Sequence, residues 1–339
     1  MRLRNWAIAG VTLLAAAGLG ACGSDNTNSA GAGVPAPVSQ ADLAKVTLKV
    51  GDQKGGSKSL LAAANLLADV PYKIEWATFT SGPPLLEAAS AGAIDIGGVG
   101  NTPPIFAAAA KAKISIVSGA KGNVASDALL VPQDSPLTDV ASLRGKSIAV
   151  AKGSSAHGQI LLTLKKAGLT TKDVKLNFLQ PSEAYAAFNQ HQVDAWAVWD
   201  PYTSQALLES NARVLTDGTG IANGYTFQVA GTNALGDAGK NSAIRDYVVR
   251  IAQAQKWADT HRPEWARAWA KETGLKADVA TKAVEAGPDL PVALDDELTA
   301  SEQQLADAFT DDKTLPGKVE FAKFVDHRFA TDLDAARSK

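Results

Sequence analysis

The chain has 339 residues, 46% of them apolar, a formal net charge of −2 and a single cysteine. That length suits one large domain or two ordinary ones, and the apolar share is enough for a proper core. The charge balance excludes a nucleic-acid-binding surface, which needs a basic excess, and one cysteine excludes a disulfide framework and cysteine metal sites.

Arg2 and Arg4 precede an apolar run from Trp6 to Ala21. This is the order of a secretory signal: basic residues, a short apolar region, then small residues before the cut. The run is short for a membrane span and leads into no second one. Leu19-Gly20-Ala21-Cys22 looks like a bacterial lipobox, whose cysteine becomes the lipidated first residue; the alternative is a plain signal peptide. Residues 1–21 are therefore expected to be a lipoprotein signal peptide. Residues 22–42, rich in Gly, Ser, Asn and Pro after Cys22, read as a flexible tether. A body on such a tether is exported and held by acyl chains at the outer face of the bacterial cytoplasmic membrane.

From Lys45 the pattern is strand, turn, helix, repeated. "KVTLKVG" alternates apolar and polar residues, "KGGS" breaks it, and "KSLLAAANLLADV" follows at helical spacing. "YKIEWATF" and "AIDIGGVG" are further strands, followed by the Pro-containing helix starts "TSGPP" and "NTPP". The order then returns in "KSIAVAKGSSAHGQILLTLKKAGL", "VKLNFLQPSEAYAAFNQHQ" and "VDAWAVWD". Lys54 and Lys152, Phe79 and Phe178, and Asp95 and Asp194 lie 98, 99 and 99 positions apart. Two related α/β lobes follow, with parallel-rich sheets covered by helices on both faces. Ligands in such sheets bind beyond the carboxyl ends of the strands, where each Gly, Ser and Pro break falls. The run Tyr225–Gly231 is a strand that can return the chain to the first lobe, and the helices beyond Leu235 are expected to cover that lobe. Their Trp257, Trp265 and Trp269 read as core.

"GDQKGGS", "SGPPLLEAASAGAIDIGGVGNTPPIFAAAA", "LRGKSIAVAKGSSAH" and "VDAWAVWDPY" together resemble the aliphatic sulfonate-binding proteins. Those belong to the nitrate-, sulfonate- and taurine-binding proteins of ABC importers. The likeness is close over Lys45 to Phe227 and loose beyond. It implies a two-lobed type II periplasmic-binding-protein fold whose cleft closes on its ligand. Lobe 1 is then residues 43–131 plus 229–339, and lobe 2 is residues 132–228. It also implies a monomeric binding protein rather than an enzyme, with no cofactor, delivering a small organic anion to a membrane permease driven by a separate ATPase.

A sulfonate is a monoanion with three acceptor oxygens, so its site needs N–H and O–H donors. Helix N-termini supply them. Ser81-Gly82, Gly100-Asn101-Thr102 and Ser154-Ser155 stand at such starts, with plain N-capping as the alternative role of their side chains. The resemblance places Gln53 beside the ligand in preference to Lys54. His157, in the first turn of its helix, either donates to the anion or sits at the rim. Trp199 and Tyr202, flanking Asp200, are the candidate apolar wall, and Trp196, on the opposite face of the strand, is core. Some sulfonate binders carry Asp where this chain has Asn101, so the expected ligand is a sulfonate without an ammonium group, although Asp200 can serve one. Nitrate, taurine and thiamine-precursor-like molecules are alternatives on the same scaffold. A serine hydrolase using Ser155 and His157 is a remote one, because His157 replaces the second glycine of a G-x-S-x-G elbow and no acid stands near to orient it. Four scattered histidines give no metal-ligand spacing.

Overall fold

The computed structural model of the protein describes residues 33–338. The expected signal, Cys22 and most of the expected tether lie outside the described residues. None of the described helices is long and apolar enough to cross a membrane.

The strands are β1 Thr47–Gln53, β2 Lys73–Phe79, β3 Ile96–Gly100, β4 Ile114–Lys121, β5 Ala128–Pro132, β6 Ser147–Val150, β7 Lys175–Phe178, β8 Ala195–Val198, β9 Ala212–Asp217, β10 Tyr225–Gly231 and β11 Leu290–Val292. They form two sheets, one ordered β11-β4-β10-β3-β1-β2 and the other β7-β6-β8-β5-β9. Each sheet has four strands running one way, β1 to β4 in the first and β6 to β9 in the second, with one antiparallel strand inserted among them, β10 in the first and β5 in the second; β11 is a further antiparallel strand at the edge of the first. In both cases the inserted strand is the one made just after the chain has changed sheets, so the fold is two-lobed α/β.

Helices cover both faces of each sheet, which is why the central strands β5 and β8 are buried along their length instead of alternating. In the first lobe, Leu48 and Val50 pack under Ile244, Tyr247 and Ile251 of the long helix Ala238–Thr260. Its other face joins Leu85, Val99 and Val229 to Phe309 and Phe321. The second lobe packs Ile148 and Val150 against Ile160 and Leu164 on one side and Trp196 and Val198 against Phe188 on the other. Burying each such Leu, Ile, Val or Phe contributes about 1.5–3 kcal/mol.

Three boundaries differ from the sequence reading. Strand β5 belongs to the second sheet and all of β10 to the first, so the chain changes lobe just after Lys121 and again just before Tyr225. Burial on both sides made Ala128–Pro132 equally acceptable to either sheet from sequence. The chain also joins the body before residue 43: the Val38 amide donates to the Ser242 hydroxyl at 3.1 Å, and Leu43 is core. Last, the helix Asp296–Asp311 packs on the second lobe as well as the first, and the Thr171 hydroxyl donates to the Asp312 carboxylate just beyond it at 2.8 Å.

The two crossings run side by side. The Gly122 amide donates to the Gly224 carbonyl at 2.9 Å, and the Gly218 amide to the Val124 carbonyl at 3.2 Å. Gly224 has φ +76°, and a Cβ there would stand 2.6 Å from the Gly122 carbonyl oxygen, so glycine is required for the close approach.

Candidate ligand-binding site

A cavity of about 290 Å³ opens where the carboxyl ends of β1, β3, β6 and β8 meet the two crossings. That is the size of a small-molecule site at the low end of the usual range. Four helices begin on it, three of them at motifs singled out from sequence, Gly82–Ser90, Thr102–Ala109 and Ser155–Lys166, the fourth being Ser57–Ala63. The first two start with Pro in their first turn, which removes N–H groups that would be orphaned there.

The N-cap side chains of these helices do not cap them. Ser81 donates its hydroxyl to the Gln180 side-chain carbonyl at 2.9 Å. Ser154 donates to the Ala151 carbonyl at 2.7 Å. Asn101 donates to the Asn223 side-chain carbonyl at 2.8 Å and accepts from the Thr102 hydroxyl at 2.9 Å. The first-turn amides that remain, those of Gly82 and Thr102 ahead of their prolines and those at the start of Ser155–Lys166, therefore keep their donor capacity, which gives three anion-favouring helix ends.

Of the residues singled out from sequence, Gln53, Gly82, Gly100, Asn101, Ser154, Ser155, Trp199 and Asp200 line the cavity. Gln53 spends one amide hydrogen on the Gly98 carbonyl, 2.9 Å away, and keeps another. Lys54 also lines it, its ammonium 5.4 Å from the Tyr202 ring centre, and burial lowers its pKa.

Four of the singled-out residues lie elsewhere. Ser81 and Thr102 are fully buried behind the cavity wall, committed to the hydrogen bonds above. Tyr202 packs on Trp196 and Trp199, behind the wall that Trp199 forms. His157 turns inward: its Nδ1 accepts from the Gly153 amide at 3.1 Å, and its ring is surrounded by Phe106, Phe178 and Phe309. Loss of hydration pushes its pKa down to about 4, so it is a neutral packing residue.

The cavity also has a side that the sequence reading passed over. Trp265 and Trp269 line it from the helix Arg262–Thr273, and neither buried indole N–H has a partner. Helical spacing is the same for a face turned to a core and one turned to a cavity, which is why both read as core. Asp52, Asp127 and Asp289 join Asp200 on the wall. Asp52 accepts from the Lys58 amide at 3.3 Å, Asp200 from the Ser204 amide at 2.9 Å and Asp289 from the Thr226 hydroxyl at 2.9 Å. Removal from water raises Asp52 and Asp200 to about 6 and Asp127 to about 7, with Asp289 and Asp200 adding to the shift at Asp127. No sequence motif marks Asp127 or Asp289.

Two lobes joined by paired crossings around a donor-rich cavity define a solute-binding protein of the periplasmic type. Residues 56–274 match the profile of the NMT1-like family. The putative aliphatic sulfonates-binding protein of Escherichia coli (strain K12) is 37% identical over 83% of this chain and 88% of its own length. Its counterpart in Bacillus subtilis (strain 168) is 30% identical over 76% of this chain and 77% of its own. The structure of the alkanesulfonate-binding protein from Xanthomonas axonopodis pv. citri bound to MOPS superposes with a TM-score of 0.76 at 34% identity, covering 83% of this chain and 98% of that one. The chain is thus a member of the NMT1-like family and, within it, of the aliphatic sulfonate-binding proteins.

Proposed function

We propose that the protein is the exported binding component of an ABC importer that captures an organic sulfonate in the interlobe cavity and delivers it to a permease powered by a separate ATPase. The observation that carries this reading is the convergence of three uncapped helix starts, at Gly82, Asn101 and Ser154, on one small cavity beside Trp199. Backbone N–H groups satisfy the sulfonate oxygens without a full positive charge, and the indole face covers the organic part. The ligand contacts both lobes, so its differential affinity favours the closed form. Cys22, in the lipobox sequence, is the lipid anchor, and the protein works as a monomer at the outer face of the cytoplasmic membrane.

The proposed site residues are Gln53, Gly82, Gly100, Asn101, Ser154, Ser155, Trp199 and Asp200, with Trp265 and Trp269 added. A hydrolase reading is disfavoured because His157, the only base nearby in sequence, is enclosed by aromatic rings with its Nδ1 occupied by the Gly153 amide. Isothermal titration with alkanesulfonates, sulfate and nitrate tests the proposal. Saturable binding of alkanesulfonates, reduced but not abolished in Ser155→Ala, is expected. Turnover of an ester or sulfonate that disappears in Ser155→Ala would replace it with the hydrolase.

A further inference from the structure

We propose that Glu302 and Asn223, neither of which lines the cavity, are positioning residues: through two successive hydrogen bonds they set which end of the Asn101 amide is left for the ligand. The inference rests on the sulfonate reading above and adds to it the residues that hold one of its donors in place.

An asparagine amide has a donor end and an acceptor end of nearly the same size. A site for an anion must therefore control which way such an amide is turned. Asn101 lines the cavity and is otherwise buried. The Thr102 hydroxyl, 2.9 Å from Asn101 Oδ1, can give or accept a hydrogen bond, so it follows the amide instead of setting it. Control comes from the other side, where Asn101 Nδ2 donates to Asn223 Oδ1 at 2.8 Å.

The polarity of Asn223 is fixed at both of its ends. Its Oδ1 also accepts from the backbone amide of Tyr225 at 3.3 Å, and a backbone N–H can only donate. Its Nδ2 donates to Glu302 Oε1 at 2.7 Å and to the Ser301 hydroxyl at 3.1 Å. Glu302 Oε1 is an acceptor whether or not the acid carries a proton on Oε2. Asn223 thus presents an acceptor to Asn101, and Asn101 must answer with an N–H. Its second N–H stays uncommitted among the described residues. In the reversed amide a carbonyl oxygen would take the place of that donor and face Asn223 Oδ1.

Glu302 itself points to this role. It is fully buried in the helix Asp296–Asp311, its Oε2 has no partner, and its only side-chain hydrogen bond among the described residues is the one to Asn223. A buried carboxyl group without a cation costs stability that an apolar side chain of similar volume would not. The relay also joins separate parts of the fold. Asn223 stands beside Gly224 in the return crossing, the helix of Glu302 packs on both lobes, and Asn101 opens the helix Thr102–Ala109.

The test is calorimetric titration of the full chain with methane-, propane- and hexanesulfonate, using the tightest of the three to compare variants. Glu302→Met and Asn223→Leu keep the volume and break the relay, and each is expected to weaken binding about tenfold. In an Asn101→Ala background the same two changes should weaken it by no more than about twofold, because they act through Asn101. Glu302→Gln keeps an acceptor toward Asn223 and should bind within about twofold of the wild type. Thermal unfolding of each variant shows that it is folded; should Glu302→Met fail, Asn223→Leu decides. Unchanged affinity in a folded relay variant, losses that persist once Asn101 is removed, or a Glu302→Gln protein as weak as Glu302→Met overturns the relay and leaves the sulfonate reading standing. A wild type that binds none of the three sulfonates overturns both.

Discussion

The indole rings of Trp265 and Trp269, on the cavity wall, stack 5.4 Å apart and within 4° of parallel, and neither buried N–H has a partner. A buried donor with no acceptor costs free energy in the empty protein and returns it when an anion arrives. Trp269→Phe keeps the ring and deletes the donor. We expect its unfolding midpoint to stay level or rise, while sulfonate affinity falls about tenfold to a hundredfold, the worth of about 1.5–3 kcal/mol for a hydrogen bond to a charged group. Titration and thermal unfolding of the same variant check both halves.

Gly100 of the first lobe lies against Ser155 of the second. A Cβ on it would stand 3.0 Å from the Ser155 Cβ, so Gly100→Val wedges the lobes apart instead of damaging either core. The expected result is a loss of affinity greater than about tenfold with a midpoint shift of no more than about 4 °C. A large loss of stability with affinity preserved would contradict the close approach.

The lobes are also clasped at the rim. The Gln180 side-chain carbonyl accepts from both Thr80, at 2.8 Å, and Ser81, at 2.9 Å. A double-mutant cycle of Ser81→Ala and Gln180→Ala, read in ligand affinity, should give a coupling of about 0.5–1.5 kcal/mol. Additive effects would mean that the clasp does not contribute to closure.

Glu302 is a carboxylate buried without a cation. Its Oε1 accepts from Asn223 at 2.7 Å, its Oε2 has no partner, and removal from water raises its pKa from 4.5 to about 8. The folded state therefore holds the proton more tightly than the unfolded chain, and stability falls as pH rises between about 4.5 and about 8. Glu302→Gln removes this dependence. Denaturant unfolding from pH 5 to 9 should show the variant gaining on the wild type as pH rises; parallel curves would refute the assignment.

The doubled architecture was legible because its landmarks do structural work. Asp95 accepts from the Lys49 amide at 2.8 Å, and Asp194 accepts from the Ser147 amide at 2.8 Å. The same carboxylate ties the start of the same pair of strands in each lobe, so the spacing of the two aspartates carried real information. The helix starts were legible for a similar reason, since Gly, Ser and Pro there are demanded by turn geometry. What the sequence did not disclose is which way each side chain turns. Ser81, Thr102 and His157 stand one residue or one helical turn from the cavity and face away from it, while Trp265, Trp269 and Asp289 reach it from the helical tail. Contacts made across more than 100 positions leave no local pattern to read.

The most direct test of the central claim is thermal unfolding of the protein with and without a graded series of anions. A ligand that binds the folded state alone must raise the midpoint. The site described here predicts a rise with organic sulfonates and none with sulfate or nitrate, which lack the organic part that Trp199 covers. A rise with sulfate or nitrate equal to that with the sulfonates would contradict it, as would no rise with any sulfonate.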